Sequence, residues 1–172
     1  MRQSLPLVVA LIGLVVVPLR AIQMSDADIA ERVSQAVLTY PQFSIFDDVE
    51  IGVNDRAVTL TGRVTMPIKR VEIGKRVAKI DGVRSVTNDI GVLPESQTDA
   101  ALRVRVARAI YNHPAFWRYA QMTNPPIHII VEGGRITLTG VVDSEVDRML
   151  ANSLAQVGGS FGVTNRLKLD TH

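Results

Sequence analysis

Residues 58–64 read VTLTGRV and residues 136–142 read ITLTGVV, the same phrase written twice, 78 positions apart. A repeat of this kind can decide a whole architecture, and this one extends in both directions. Downstream the offset becomes 77, so that Gly82, Val86 and Asn88 fall on Gly159, Val163 and Asn165; upstream it is 73, so that Pro41 and Phe43 fall on Pro114 and Phe116. Ile29, Val33, Ala36 and Val37 then fall on Leu102, Val106, Ala109 and Ile110. Matching blocks in the same order imply a duplicated domain, at about 26–93 and 99–170, with the polar, Pro-containing stretch 94–98 as linker.

Within each copy the residue pattern implies the same elements. A helix comes first, with the apolar stripe Ile29, Val33, Ala36 and Val37. Ser25 is placed to cap it, with Asp28 three residues on; Thr98 and Asp99 open its counterpart. YPQF and NHPAF end the two helices, because proline cannot continue one. A β-hairpin follows, Val49–Val53 returning through 54–56 into VTLTGRV, and Ile127–Val131 returning through 132–134 into ITLTGVV. Pro67 and Ser144 open a second helix, Gly82 and Gly159 stand just past its end, and an alternating third strand closes the unit. The expected fold class is α+β: two tandem αββαβ modules, each a three-stranded mixed sheet with two helices on one face. Val58, Leu60, Val64, Val86 and Ile90 should point inward, with Glu50, Thr59, Thr61, Thr87 and Asp89 on the wetter side.

Composition narrows the function classes. Cys is absent, which removes disulfides, thiolate metal sites, a Cys nucleophile and N-terminal lipidation on Cys. Two of the 19 basic residues, Arg2 and Arg20, precede Met24, leaving 17 basic against 17 acidic residues in the body of the chain. That neutral body lacks the positive field that phosphate-backbone binding needs, so no nucleic-acid partner is expected. Residues 1–23 carry one Arg before an uncharged apolar run, Leu5 to Leu19, the pattern of a secretory signal. The poor cleavage site PLRA leaves a signal peptide, an N-terminal membrane anchor at 5–19 or a buried helix open. A cleaved signal would leave a mature terminus between Ala21 and Ser25; signal and anchor both place the body outside the cytoplasm.

No catalytic, metal or cofactor-binding set emerges. GGSFG at 158–162 has the letters of a hydrolase elbow, but it follows a helix and opens a strand, the reverse of that motif's context. The three histidines lack metal-ligand spacing, with His128 expected on an outward strand face. Two stretches stand out as contact surfaces. YNHPAFWRYAQM at 111–122 holds four of the eight aromatics, partly in an insertion found only in copy two, about 117–126. It reads either as a plug over the sheet end or as an interfacial membrane patch, in which Trp117 and Tyr119 would sit at headgroup depth and Arg105, Arg108 and Arg118 would meet anionic lipid. The second helix of copy one is basic, and Lys69, Arg76 and Lys79 share a helical face as a secondary candidate. Gly62 and Gly140 read as close helix–sheet packing or a bulge.

A strand ending in Gly, an amphipathic helix, Gly-Val and a Val-x-Asn strand together resemble the BON domain of bacterial osmotically inducible and nodulation proteins. Gly62, Gly82, Val83, Val86 and Asn88 match in copy one; Gly140, Gly159, Val163 and Asn165 match in copy two, which departs where Ser160 replaces the Val of Gly-Val. The resemblance covers about 140 of the 172 residues. It implies the αββαβ fold, a periplasmic location and a non-enzymatic role without cofactors. The partner it implies is phospholipid or another envelope component, in support of envelope integrity under osmotic or other stress. The alternative is a soluble periplasmic holdase or protein-interaction module.

Overall fold

The computed structural model describes residues 24–170; the expected signal or anchor, residues 1–23, lies outside them. Two α+β modules follow one another. Module one runs α1 (Asp26–Leu38), β1 (Asp48–Asn54), β2 (Ala57–Val64), α2 (Pro67–Val77), β3 (Ser85–Asn88) and β4 (Gly91–Val92). Module two runs α3 (Gln97–Tyr111), a 3₁₀ turn (Pro114–Phe116), α4 (Trp117–Ala120), β5 (Ile127–Glu132), β6 (Arg135–Val142), α5 (Glu145–Leu154), β7 (Gly162–Asn165) and β8 (Lys168–Leu169).

Local chemistry explains the element ends. Ser25 and Asp28 form a reciprocal capping box at α1. At α3 the cap is Ser96, whose hydroxyl accepts from the Asp99 N–H at 3.2 Å; Thr98 and Asp99, expected to open the helix, lie in its first turn. Asp99 is free to look elsewhere: its carboxylate accepts from the N–H groups of Gly133 and Gly134, both at 2.8 Å. Asp26 accepts in the same way from Asp55 and Arg56, at 2.8 and 2.9 Å. Each hairpin tip, with both central residues at positive φ, is thus tied to the start of the first helix of its module.

In each sheet the middle strand pairs antiparallel with its hairpin partner and parallel with the last strand. The expected third strand is broken into two short pieces, β3 and β4 in module one, both parallel to β2. The break comes from the asparagine of each Val-x-Asn strand. Asn88 donates to the Arg70 carbonyl at 2.8 Å and accepts from the Ile90 N–H at 3.4 Å; Asn165 does the same with Arg148 and Leu167, at 2.8 and 3.1 Å. A side chain that ties α2 to the chain two residues on takes the backbone out of the ladder for one step.

The inward and outward faces fall as the alternation requires, with Val58, Leu60, Val64 and Ile90 in one core and Ile127, Ile129, Ile136 and Leu138 in the other. Gly62 and Gly140 adopt φ of 112° and 105°. A Cβ on either would overlap a carbonyl oxygen, of Asp48 or of Pro126. The close approach is therefore between neighbouring strands, not between helix and sheet.

The modules pack on one another. The Ile45 carbonyl accepts from the Ile129 N–H at 2.7 Å, closing the free edge of β5, which would otherwise invite foreign strands. Ile45 and Phe46 pack against the core of module two. Arg103, on the same helix as Arg105 and Arg108, is buried and reaches that same edge, donating to the Val131 carbonyl at 2.9 Å. His128 is half-buried, 5.5 Å from the Phe43 ring. Beside it Asp48 is held above its ordinary carboxylate value by burial, opposed by nearby Thr139 and His128.

Candidate functional site

The aromatic–basic stretch at 111–122 divides. Phe116 and Tyr119 belong to the core, Tyr119 with only 1% of its surface exposed. Its hydroxyl accepts from the Asp143 N–H at 2.8 Å and donates to Asp147 at 3.0 Å, and burial raises its pKa. The expectation that Tyr119 meets a membrane is therefore wrong: in this module a buried hydrogen-bond centre needs the phenol. Arg118 stays at the surface, but its guanidinium bonds Tyr119 and Asp147 and lies 3.2 Å from Asp143. The hydrogen bond to Tyr119 leads the effects that raise its pKa, and two carboxylates already compensate its charge. Of the four aromatics in this stretch only Trp117 is open, 57% exposed.

Lys69 requires a second correction. It is 3% exposed, and its ammonium donates to the fully buried Asp47 at 2.6 Å and to the Thr65 hydroxyl at 2.8 Å. A solvated helix face cannot include it. Arg76 lies 5.0 Å over the Tyr40 ring, and Lys79 is exposed. At the 78-residue offset Thr65 and Lys69 become Asp143 and Asp147. A similar polar lock exists in both modules with its charges reversed: cation on α2 and anion in the loop before β1 in module one, anion on α5 and cation on α4 in module two.

Arg105 and Arg108 have a different setting. With Ala101 and Val104 they form the outer stripe of α3, following the i, i+3, i+4, i+7 positions that share a helix face. This stripe walls a groove of about 920 Å³, whose other sides are the Gly133–Gly134 turn and the loop at Gly159 and Phe161. Phe161 is 76% exposed and Val104 40%. Glycine opens the groove. A Cβ on Gly134 would come within 2.7 Å of the Phe161 ring, and one on Gly159, at φ 87°, within 3.2 Å of the Arg105 guanidinium. No carboxylate forms an ion pair with Arg105 or Arg108 among the described residues. Asp99 lines the groove, but each of its oxygens is engaged by a turn N–H. The result is an apolar trough with two uncompensated guanidinium groups on its wall, suited to an anionic head beside an apolar body.

Sequence reasoning found the two arginines but missed Val104 and Phe161. The signal was present in GGSFGV, where copy two departs from copy one: at the 77-residue offset Phe161 stands where module one has Arg84, which is ion-paired to Asp55 at 2.8 Å. The same loop excludes the hydrolase reading in structural terms, since it is a helix-to-strand turn and the Ser160 hydroxyl donates to the Val157 carbonyl at 3.0 Å. Among the described residues no group of His, Asp or Glu side chains could hold a metal ion.

Paired close-contact glycines, paired strand-breaking asparagines and duplicated αββαβ topology agree with one further finding. A model of the BON domain matches residues 25–94 and, a second time, residues 98–171. The chain belongs to the BON domain family. Gly62 and Gly140 then act as the points where adjoining strands of a BON module touch, and Asn88 and Asn165 tie its second helix to its last strand. No curated protein matches the sequence. Among the solved structures similar to it are two of the type III secretion system structural protein CdsD of Chlamydia trachomatis. The first is 16% identical, covers 83% of this chain and 92% of its own, and has a TM-score of 0.30. The second, the C-terminal domain, is 15% identical over 86% of this chain and 100% of its own, with a TM-score of 0.31.

Proposed function

We propose that this tandem BON protein is a non-enzymatic, exported component of the cell envelope that binds anionic phospholipid through the α3 groove. The observation that carries the reading is the pair Arg105 and Arg108, free of acidic partners and set beside exposed Val104 and Phe161. An anionic headgroup satisfies the guanidinium groups, and the apolar side chains enter the headgroup boundary. Each arginine near such a surface adds about 1 kcal/mol, a part that salt screens, while the apolar part persists. Trp117, open on the same module, supplies a further interfacial side chain. No helix among the described residues is long and apolar enough to cross a membrane, so binding by the folded body is peripheral. Its role is support of envelope integrity, including under osmotic stress, from the periplasmic side.

The test is flotation of the protein from Met24 onward with vesicles containing phosphatidylglycerol and, separately, with phosphatidylcholine alone. The protein is expected to float with the anionic vesicles only. Arg105→Glu with Arg108→Glu should abolish this at low salt, and Phe161→Ser should weaken it at every salt concentration. Wild-type protein that stays at the bottom of both gradients, yet suppresses aggregation of an unfolded client, would replace this reading with the holdase.

A further inference from the structure

We propose that α2 of one molecule docks antiparallel against α5 of a second copy, so that the chain associates head to tail through the second helices of its two modules. α2 exposes Ile68 and Val71, at 49% and 47%, three residues apart and on one helical face. Lys75 and Lys79 continue that stripe one and two turns further on, both exposed. At the 78-residue offset Ile68 and Val71 become Val146 and Met149 of α5, again exposed, at 66% and 58%. There the stripe continues with exposed Ser153, and the charge lies at the other end of the helix, on exposed Asp143 and Glu145. Duplication thus gives one chain the same apolar pair twice, followed by lysines in module one and preceded by carboxylates in module two.

This order of charges selects one way of meeting. With the helices antiparallel, Ile68 stands opposite Met149 and Val71 opposite Val146. At a rise of about 1.5 Å per residue, Lys75 lies about 6 Å past Val71, on the side where the chain before Val146 carries Glu145 and Asp143. Parallel docking would set Lys75 against Ser153 instead. α2 against a second α2 offers its lysines only Glu72, which Lys75 already holds at 2.9 Å; α5 against a second α5 brings no lysine to Asp143 and Glu145. Glu145 pairs with Arg148 at 2.6 Å and Asp143 with Arg118 at 3.2 Å. Both are surface pairs that contribute little, and each carboxylate keeps lone pairs for a lysine.

The inner sides of the two helices hold these stripes in place. α2 sends Ile73 and Val77 into the core and ties Lys69 to Asp47 of the loop before β1; α5 buries Asp147 and Ala151. The outer stripes are left uncovered by the rest of the chain. Because two different surfaces meet, the contact is heterologous and each molecule keeps one of each for the next copy. Two apolar side chains a side make a small contact, so association rises with concentration, and salt weakens the share that the lysines supply.

The test is sedimentation velocity of the full-length chain over rising concentration at low salt, without lipid. Wild type is expected to gain average mass above the monomer. Ile68→Ser with Val71→Ser, and separately Val146→Ser with Met149→Ser, should each weaken association at least tenfold. Mixed in equal amounts, these two variants should form heterodimers, because the intact α5 of the first accepts the intact α2 of the second. Lys75→Glu with Lys79→Glu, and Glu145→Lys as its counterpart on α5, are surface changes that should weaken association at low salt and recover in the same way on mixing; they decide if a serine variant unfolds. Wild type that stays monomeric up to about 1 mM, the weak end of specific affinities, overturns the proposal. So does association that survives the α2 and α5 variants, or a mixture no heavier than its components. None of the substituted residues lines the α3 groove, so the phospholipid reading stands or falls separately.

Discussion

Replacing Lys69 with Met should nearly unfold module one while leaving module two intact. Asp47 is fully buried and accepts five hydrogen bonds: from Ser44 N and Oγ at 2.9 and 2.8 Å, Thr65 N and Oγ1 at 2.8 and 2.9 Å, and Lys69 Nζ at 2.6 Å. The methionine fills the space of the lysine stem but removes the one cation hydrogen-bonded to Asp47, leaving its carboxylate with neutral hydrogen-bond donors. Breaking a buried pair by removal of one partner costs about 3–5 kcal/mol; the four surviving donors favour the lower end, about 3 kcal/mol. A core of this size supplies only about 3–5 kcal/mol, so the variant module stands at the edge of unfolding. Urea unfolding followed by circular dichroism measures this: with a slope of roughly 1–3 kcal/mol per molar, the module-one transition should fall by about 1–3 M at unchanged slope. Adding Asp47→Asn, which removes the orphaned charge and keeps the shape, should restore part of the loss. A single-variant cost under about 1 kcal/mol would refute the reasoning, because it would mean that water reaches the pair.

Tyr119→Phe should cost about 1–3 kcal/mol by stranding the Asp143 N–H and Asp147, whereas Trp117→Ala should change stability by no more than about 0.5 kcal/mol, both read by thermal unfolding. Gly140→Ala should destabilise by more than about 1 kcal/mol, since alanine meets both a positive φ and the Pro126 carbonyl. Asp48 makes the seam pH-dependent. Its folded pKa is raised, so the folded state holds a proton that the unfolded state has released; stability from this group is full below the ordinary aspartate value and is lost as pH rises through the folded pKa. Asp48→Asn should therefore be more stable than wild type at neutral pH, with the difference vanishing on acidification toward pH 3; a constant difference at all pH values would assign the effect to packing.

The fold was legible because its signals are local and repeated. Period-two alternation around VTLTGRV and ITLTGVV, the capping serines, and the glycines past each second helix act within a few residues of themselves, and duplication reports each of them twice. What escaped was non-local. Nothing in the spacing of Lys69 says that Asp47, 22 residues earlier, turns it inward; the lysine sits on a helix face that reads as basic and exposed. Tyr119 and Trp117 are two residues apart in one aromatic cluster, yet one completes a core and the other faces solvent, because a short helix turns them to different sides. Arg103, Arg105 and Arg108 look alike in sequence, but the free edge of β5 claims the first. Phe161 could have been found from the one place where copy two breaks the pattern of copy one.

The central claim, an anionic-lipid contact in the α3 groove, is tested most directly by amide NMR of the protein from Met24 onward, titrated with bicelles containing phosphatidylglycerol. The account predicts that the largest shifts and broadening fall on Val104, Arg105, Arg108 and residues 159–162 of the groove, and that these changes are absent with bicelles of phosphatidylcholine alone. Perturbations that spare the groove entirely, or that are equal with both lipids, would contradict it.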